Sequence, residues 1–298
     1  MSESGFQACE ECVPPAEAFS VIGNETRLSI LEALWDAPER PISFSDLHGR
    51  VEMRDSAQFN YHLKQLLGQF VVRTDDGYDL RHAGESVIQA VLSGSFNQNP
   101  DRRFDVEGEC VACDGALDAR YRDEHIVISC SDCGQRHGEY AFPPGGLDGR
   151  TDEEVLAAFD QRVRHLHCLA ADGVCPACNG RMETTLRRED ECCLRLDLQV
   201  EHRCVRCRHR LCSTAGLRLL ERSEVVSFYR DHGTDLGSIP YWRLPWCVSD
   251  EYVRTLSEDP WRLRVRIPLD DEELRVSLDG NLVVSEVERV ASRSHSEH

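Results

Sequence analysis

Hydrophobic residues between positions 15 and 94 recur mostly at helical spacing, in a part of the chain that contains no cysteine. The pattern predicts a short helix that ends at Gly23, a second helix capped by Asn24 and a third that begins after Ser43. Further on, FVVRTDDGYDL contains two β-like runs joined by Asp-Asp-Gly, which predicts a hairpin. The last segment of this part, AGESVIQAVLSG, predicts a closing helix.

Between the third helix and the hairpin, the segment DSAQFNYHLKQLLGQ predicts a fourth, amphipathic helix. Its apolar face consists of Phe59, Leu63, Leu66 and Leu67. Its other face carries Ser56, Gln58, Asn60, Tyr61 and Lys64. Such polar side chains hydrogen-bond base edges and phosphates in a major groove about 12 Å wide. The order of elements is that of a winged helix-turn-helix domain, with the fourth helix as recognition helix and the hairpin as wing.

The local charge around the fourth helix agrees with this interpretation. From Arg54 to Arg73 the chain has three cations and one anion, Asp55, and Lys64 on this helix is its only lysine. We therefore add Arg54, which precedes the helix, to the candidate contacts with DNA.

The segments NETRLSILEALWDAPERPISFSDL and FNYHLKQLLGQFVVRTDDGYDLRHAGE resemble the ArsR-type winged helix regulators, especially their haloarchaeal branch with its Phe-Asn-Tyr-His-Leu recognition helix. The resemblance implies a dimer formed through the first and last helices and a role in controlling transcription. Members that sense metals carry a cysteine motif on the third helix, but SFSDLHGRV has none. Only the DNA-binding role therefore carries over, to Ser56, Gln58, Asn60, Tyr61, His62 and Lys64 on the helix and Arg73 on the wing.

Two alternatives remain open for this domain. A winged helix also serves as a protein-docking module. Archaeal transcription factor E, for example, joins a winged helix to a zinc ribbon and acts through polymerase contacts. In addition, His62 fits a packing role as well as a DNA contact, and Tyr78 after the wing turn fits packing better than base stacking.

Eight cysteines in the middle of the chain form four CxxC pairs, separated by alternating runs such as HIVIS and METTL that predict β-hairpins. A CxxC turn can place two thiolates on one zinc ion, and a second pair completes a tetrahedron with bonds of about 2.3 Å. The spacing predicts two zinc-ribbon modules. The ligands would be Cys110, Cys113, Cys130 and Cys133 in the first module and Cys175, Cys178, Cys204 and Cys207 in the second.

Because cysteine fills all four positions of each site, no position is left for a catalytic water, and we interpret both Zn²⁺ ions as structural. The alternative is a ribbon that contacts nucleic acid or polymerase, or labile zinc that senses an oxidant or a metal. His165 and Cys168, one helical turn apart, could share a further metal ion. No role is assigned to Cys9, Cys12, Cys168, Cys192, Cys193, Cys212 and Cys247, although the last four fit buried small side chains.

The segment DEEVLAAFDQRVRHLHCLAA predicts a helix between the modules, with an apolar face made of Val155, Leu156, Phe159, Val163, Leu166 and Leu169. Beyond them, WRLRVRIPLDDEELRVSLDGNLVVSEVERV alternates as strands do, and its LDGN turn predicts a hairpin. We expect an α+β fold: an N-terminal winged helix-turn-helix, two zinc-ribbon-like modules with four cysteines each, joined by a helix, and a small C-terminal β-sheet. The expected segments are a mobile N-terminus (1–14), the winged helix (15–95), the first ribbon (104–142), the bridging helix (150–172), the second ribbon (173–213), a C-terminal helix and sheet domain (214–291) and a mobile tail (292–298).

Composition adds the chemical setting. The 298 residues carry a net charge of −19, and 33 of the 34 basic residues are arginine. An acidic, lysine-poor surface is typical of halophilic proteins, whose charges are screened within roughly 3 Å at molar salt. Under such conditions counterion release contributes little to DNA binding, so a negative net charge does not exclude DNA as a partner.

Other functional classes find little support. The N-terminus MSESGFQACEECVPP has no basic and apolar regions of a signal peptide, and no apolar run suits a membrane span, so we expect a cytoplasmic protein without a membrane partner. No GxSxG, HExxH, GxxxxGK or GxGxxG motif occurs. Tyr229, Asp231 and His232 fit a helix C-terminus, and Tyr241, Trp242 and Trp246 fit packing. We expect no enzyme; the expected partners are double-stranded DNA, a second copy of the chain, and an effector or the transcription machinery.

Overall fold

The computed structural model describes residues 13–188 and 196–291, which belong to two compact units, Met1–Gln98 and Asn99–His298. Most of the N-terminus expected to be mobile, the tail 292–298, and Cys9, Cys12, Cys192 and Cys193 lie outside the described residues. The architecture mixes helices with antiparallel sheets, as the sequence predicts. Within the described part, no helix has both the length and the apolar character needed to cross a membrane.

The described part of the first unit contains five helices and one hairpin. In chain order they are α1 (Pro15–Ile22), α2 (Glu25–Trp35), α3 (Phe44–Arg50), α4 (Ser56–Leu66), β1 (Val71–Thr74), β2 (Gly77–Leu80) and α5 (His82–Leu92). The side chains of Asn24, Ser43 and Asp55 each accept a backbone hydrogen bond in the first turn of the helix that follows, which fixes where these helices begin. These elements agree with those expected from the sequence.

The first unit has a hydrophobic core of its own, built from α2, α4 and neighbouring segments. On α4, Phe59, Leu63 and Leu66 are buried, as their spacing predicts. Leu67 is only half-buried, because it is the C-cap residue, where the chain leaves the helix.

The described part of the second unit contains three antiparallel sheets with helices between them. Its elements are β3 (Arg102–Glu109), β4 (Ala116–Arg122), β5 (His125–Cys130), β6 (Arg136–Ala141), α6 (Asp152–Ala171), β7 (Met182–Arg187), β8 (Gln199–Cys204), β9 (Arg210–Ser213), α7 (Ser223–Asp231), α8 (Pro245–Val248), β10 (Val253–Glu258), β11 (Trp261–Leu269), β12 (Glu272–Asp279) and β13 (Val284–Ala291). In each sheet, strands that follow one another along the chain lie side by side. Two turns separated by two strands of such a sheet therefore lie at the same end.

Helix α6 begins with a capping box, in which Thr151 and Glu154 satisfy each other's backbone N–H groups. Its buried stripe includes Val155, Phe159 and Val163, as expected. The expectation for Leu169 is wrong: its side chain is 42% exposed. Position 169 lies beside the buried stripe, because the helix repeats every 3.6 residues. The stripe includes polar residues of the helix in addition to the apolar ones.

Two of those polar residues, Asp160 and Arg164, form a buried ion pair, with Nε of Arg164 2.7 Å from Oδ2 of Asp160. Arg164 also donates to the backbone carbonyl oxygens of Leu236 and Ile239. The other carboxylate oxygen of Asp160 accepts a hydrogen bond from the backbone N–H of Tyr241 at 2.7 Å. The pair therefore joins α6 to the segment that follows α7.

His167, on the same stripe, is buried, and its Nε2 lies 3.0 Å from the hydroxyl of Tyr140. Burial, with the nearby His202 as a second cause, lowers the pKa of His167 to about 3, so its ring is neutral in the folded protein. The unfolded chain takes up this proton near pH 6.5. Stability contributed by the neutral ring is therefore fully present above that pH and is lost as the pH falls towards 3.

We expect His167→Gln to reduce the acid sensitivity of the fold. The slope of unfolding free energy against pH below about pH 6 should be smaller than that of the parent by up to about 1.4 kcal/mol per pH unit. Denaturant unfolding of both proteins at pH 7, 6 and 5 measures this difference, in which acid effects common to both cancel. Parallel curves would show that His167 does not control the acid response.

Candidate functional site

The first group of four cysteines lies at one end of the sheet β3–β6. Cys110 and Cys113 occupy the turn between β3 and β4, and Cys130 and Cys133 the end of β5 and the following turn. The Sγ atoms of Cys110 and Cys133 are 3.7 Å apart, and those of Cys113 and Cys130 are 3.5 Å apart. All four sulfur atoms lie within 4.8 Å of one another.

The second group lies at one end of the smaller sheet β7–β9. Cys175 and Cys178 precede β7, and Cys204 and Cys207 occupy the end of β8 and the turn before β9. The Sγ distances are 3.6 Å from Cys175 to Cys207 and 3.6 Å from Cys178 to Cys204. The structure thus brings together the eight cysteines singled out by their spacing, in the two expected groups.

One backbone turn occurs four times in these groups. In each CxxC turn, the residue after the second cysteine donates its backbone N–H to the carbonyl oxygen of the first cysteine. That residue has a positive φ, between 55° and 71°, in all four turns; the residues are Asp114, Gly134, Asn179 and Arg208. The left-handed conformation turns the chain back so that both sulfur atoms point to the same side.

Backbone N–H groups also point at the sulfur atoms. Asp132 and Cys133 donate to Sγ of Cys130, and Arg206 and Cys207 donate to Sγ of Cys204, at 3.4–3.5 Å. Hydrogen bonds, of which the one from the N–H of Cys133 is the largest, lower the pKa of Cys130 to about 7 against the opposing effect of burial, and those led by the N–H of Cys207 lower the pKa of Cys204 to about 6. These bonds favour the thiolate, which is the form that binds metal.

Two glycines allow this close approach. A Cβ atom at Gly115 would lie 2.5 Å from Oδ2 of Asp132 and 3.0 Å from Sγ of Cys130. At the equivalent position of the second group, a Cβ at Gly180 would lie 3.1–3.2 Å from Sγ of Cys178 and Cys204. The sequence pattern is therefore CxxCxG in both groups.

Both groups fit a metal ion. Four sulfur atoms around one zinc at about 2.3 Å would be roughly 3.8 Å from one another, close to the distances observed. Among the described residues, no other group of three or more His, Cys, Asp or Glu side chains has this geometry. His165 and Cys168 are therefore not part of such a group; His165 is exposed and Cys168 half-buried. Cys247 is buried, as expected, whereas Cys212 is half-buried.

The candidate DNA contacts lie on and around α4. Arg54, Ser56, Gln58, Tyr61, Lys64 and Arg73 are exposed, and the Tyr61 side chain is 59% exposed. Asn60 and His62 are half-buried, and Nδ1 of His62 is a buried atom without a hydrogen-bond partner among the described residues. The expected polar face is thus mostly open to solvent.

At the hairpin, the guanidinium carbon of Arg73 lies 5.9 Å from the centre of the Tyr78 ring. Tyr78 itself is buried, and its backbone pairs with Ile42, so its expected packing role is confirmed. The guanidinium of Arg73 is therefore within cation–π distance of this ring, while the side chain as a whole stays exposed.

The C-terminal sheet borders a cleft with a volume of about 700 Å³. Its lining includes five arginines and three carboxylate residues. One of the carboxylates, Asp250, is already engaged, since it accepts backbone hydrogen bonds from Asp197 and Leu198. The volume lies in the range of small-molecule sites.

The residues with acid–base chemistry near position 230 make structural contacts. His232 is the C-cap of α7 and its Nδ1 lies 2.8 Å from the carbonyl oxygen of Phe228. The Tyr229 hydroxyl accepts from the indole N–H of Trp246, and Asp231 pairs with Arg289. Tyr241, Trp242 and Trp246 are buried, which confirms the expected packing role.

Sequence reasoning missed the arginines around the second cysteine group. Arg181, Arg203, Arg206 and Arg208 are all exposed. An alignment of the two cysteine groups on their CxxC pairs would have revealed them, because the first group has no arginine at the same positions.

Comparison with protein families gives two matches. A family described as Domain of unknown function (DUF7351) matches residues 107–284, and a second, described as Domain of unknown function (DUF7347), matches residues 15–91. The first match spans both cysteine groups and most of the C-terminal sheet. The second lies within the first compact unit. No curated protein and no solved structure matches the chain.

Proposed function

Because the chain belongs to the family described as Domain of unknown function (DUF7351), which assigns no activity, we propose its function from its own residues. We propose that it is a sequence-specific, DNA-binding transcriptional regulator. Its first unit would be an ArsR-like winged helix-turn-helix domain, and α4 would enter the major groove while Arg73 contacts a phosphate beside the wing.

The observation that carries this proposal is the exposed polar face of α4. Ser56 and Gln58 lie in its first turn and Lys64 in its last, and the opposite face holds the helix in the core. The Asp55 cap orders the first turn, which is where recognition helices contact base edges. No carboxylate forms an ion pair with Arg54, Lys64 or Arg73 within the described residues, so these cations are available to phosphates.

Apolar residues at the two ends of the first unit support a dimer. Phe19 on α1 is 70% exposed, Leu92 at the end of α5 is 56% exposed and Phe96 is 82% exposed. Contiguous exposed apolar surface marks interaction sites, and we propose that these side chains contribute to one. The resemblance to ArsR-type regulators implies pairing through these same helices.

We further propose that each cysteine group holds one structural Zn²⁺ ion. Tetrahedral coordination by four sulfur atoms is typical of zinc and iron–sulfur sites. The eight cysteines form two separate groups of four, so each group has the ligands for one ion. When bound, zinc would supply folding free energy to sheets of three and four strands that are too small to fold alone. The arginine-containing cleft beside the C-terminal sheet is the candidate site for an effector.

Replacing Gln58 and Asn60 with Ala tests the DNA-binding proposal. Each well-placed amide contributes about 1–3 kcal/mol of base discrimination, so the double variant should lose roughly 100-fold or more in operator affinity. Genome-wide mapping of bound DNA in the native cell first identifies the operator, and fluorescence anisotropy then measures affinity.

Gln65→Ala is the matched control, because Gln65 is an exposed residue of the same helix outside the predicted contacts. It should retain operator affinity. Unchanged binding by the double variant would contradict the proposal. Binding to polymerase without operator preference would instead favour a basal factor of the transcription factor E type.

A further inference from the structure

The two cysteine groups can be aligned residue by residue through their hydrogen bonds. The N–H of Cys110 donates to the carbonyl oxygen of Gly115, and that of Cys175 donates to Gly180. Across the turns, Ser131 donates to Ala116 and Val205 to Arg181. The equivalent bonds show that both groups are built on the same backbone arrangement.

Their side chains differ sharply in charge. The second group carries arginine at four exposed positions, which are Arg181, Arg203, Arg206 and Arg208. The equivalent residues of the first group are Ala116, Ser129, Asp132 and Gly134. We call these four arginines the arginine tip.

Within the described residues, the charge of the arginine tip is not neutralised. None of its four side chains forms an ion pair with a carboxylate in residues 13–188 and 196–291. The neighbouring Arg210 contrasts with them, because it pairs with the buried carboxylate of Glu201. The tip therefore presents unpaired guanidinium groups in a chain whose net charge is −19.

The negative charge of the metal site does not explain why arginine occupies the four tip positions. Four thiolates around a divalent ion carry a net negative charge, which nearby arginines would offset. The first group has the same four thiolates, however, and its equivalent positions include Asp132 instead of a cation. The first group thus shows that a site with four thiolates forms in this molecule without arginine at these positions.

The backbone at Arg208 holds a long side chain in an unfavourable conformation. Arg208 has a φ of 62°, a left-handed conformation that is unfavourable for a long side chain. The other three turns have Asp114, Gly134 and Asn179 at this position, which are residue types that tolerate it. An unfavourable residue at a position where glycine fits points to a functional role.

From these observations we infer that the arginine tip binds the phosphodiester backbone of nucleic acid, independently of base sequence. Guanidinium groups bind phosphate oxygens in a bidentate manner, and a DNA duplex presents one negative charge about every 1.7 Å along its axis. Four exposed guanidinium groups that form no ion pair within the described residues match such a partner. The inference rests on the proposed function only in naming DNA as the nucleic acid.

The double variant R206D/R208G tests the inference in the full-length, zinc-loaded chain. It introduces the residues that the first group carries at the same turn positions, so the turn should fold and the melting temperature should stay unchanged or rise. Affinity for a random-sequence duplex should fall about tenfold, and the slope of log Kd against log salt should decrease by about two.

The control R103D/R262Q changes the charge by the same amount at exposed strand positions of β3 and β11. It should bind as the parent does, whereas equal losses in both variants would overturn the inference and leave only a general charge effect. The inference would also be overturned if R206D/R208G kept the DNA affinity and salt slope of the parent. That result is expected if the tip binds an acidic protein and not nucleic acid.

The same assay separates this inference from the proposed function. Replacing Gln58 and Asn60 should remove operator preference but leave the salt slope unchanged. If the parent binds random duplex through the tip but shows no operator preference, the tip inference stands and the proposed regulator fails. If operator preference holds and R206D/R208G binds normally, the regulator stands and the tip inference fails; absence of all DNA binding overturns both.

Discussion

Cys175→Ser is expected to remove the zinc ion of the second cysteine group, which leaves one of the two expected zinc ions, and to lower the melting temperature of the second unit strongly. Cys175 is fully buried, and its sulfur lies 3.6 Å from that of Cys207, so a serine hydroxyl there cannot complete the sulfur tetrahedron. Structural zinc binding contributes about 10–16 kcal/mol in small modules, which is comparable to or larger than the net stability of a whole domain.

The loss should extend beyond the second cysteine group. Cys175, Met182 and Val200 pack in the same core as Phe159 of α6 and Val265 of the C-terminal sheet, so these elements should unfold together. The first unit has a separate core and should stay folded. Metal content by mass spectrometry and thermal unfolding followed by circular dichroism would measure both effects.

Cys168→Ser is the matched control, because Cys168 is a half-buried thiol outside both groups. It should keep two zinc ions and nearly the parental melting temperature. A parent protein with clearly fewer than two zinc ions per chain, or a Cys175→Ser variant that keeps two, would contradict the zinc assignment.

Arg164→Ala is expected to cause the second large loss of stability. The guanidinium of Arg164 is 3% exposed and binds Asp160 and two backbone carbonyl groups. Removing it leaves a buried carboxylate without its counter-charge, which costs about 3–5 kcal/mol. For a unit of this size, the melting temperature should fall by about 10 °C.

The apolar double replacement Asp160→Leu with Arg164→Met sharpens the test. Replacing both members of a buried ion pair is often neutral. Here it should remain destabilising, because the backbone N–H of Tyr241 and the carbonyl oxygens of Leu236 and Ile239 would lose their partners.

Arg120→Ala provides the comparison for the general effect of removing an arginine. Arg120 pairs with Asp101 at the surface, where water screens both charges, so the melting temperature should hardly change. Equal losses from Arg120→Ala and Arg164→Ala, measured by thermal unfolding, would show that burial of the pair is not what stabilises the unit.

The candidate sites illustrate which information is local in the chain. The four CxxC pairs could be assigned to two groups because each pair forms within one turn and each group closes within a short sheet. The buried face of α4 could likewise be predicted from the sequence, because helical spacing alone places Phe59, Leu63 and Leu66 on one side. The fold added the conformation of the arginine tip, because the matching hydrogen bonds and φ angles show that Arg208 and Gly134 occupy the same left-handed turn position.

The sequence by itself determined the order of helices and hairpin in the first unit, the caps at Asn24 and Ser43 and the grouping of the cysteines, since all three depend on residues close together in the chain. Only the tertiary structure decided which polar residues of α6 are buried. In the sequence, position 164 does not differ from other charged residues of a helix. In the structure, the segment around Ile239, which is far along the chain, packs over it and accepts its hydrogen bond. Burial depends on such distant contacts, and helical periodicity near one residue does not specify them.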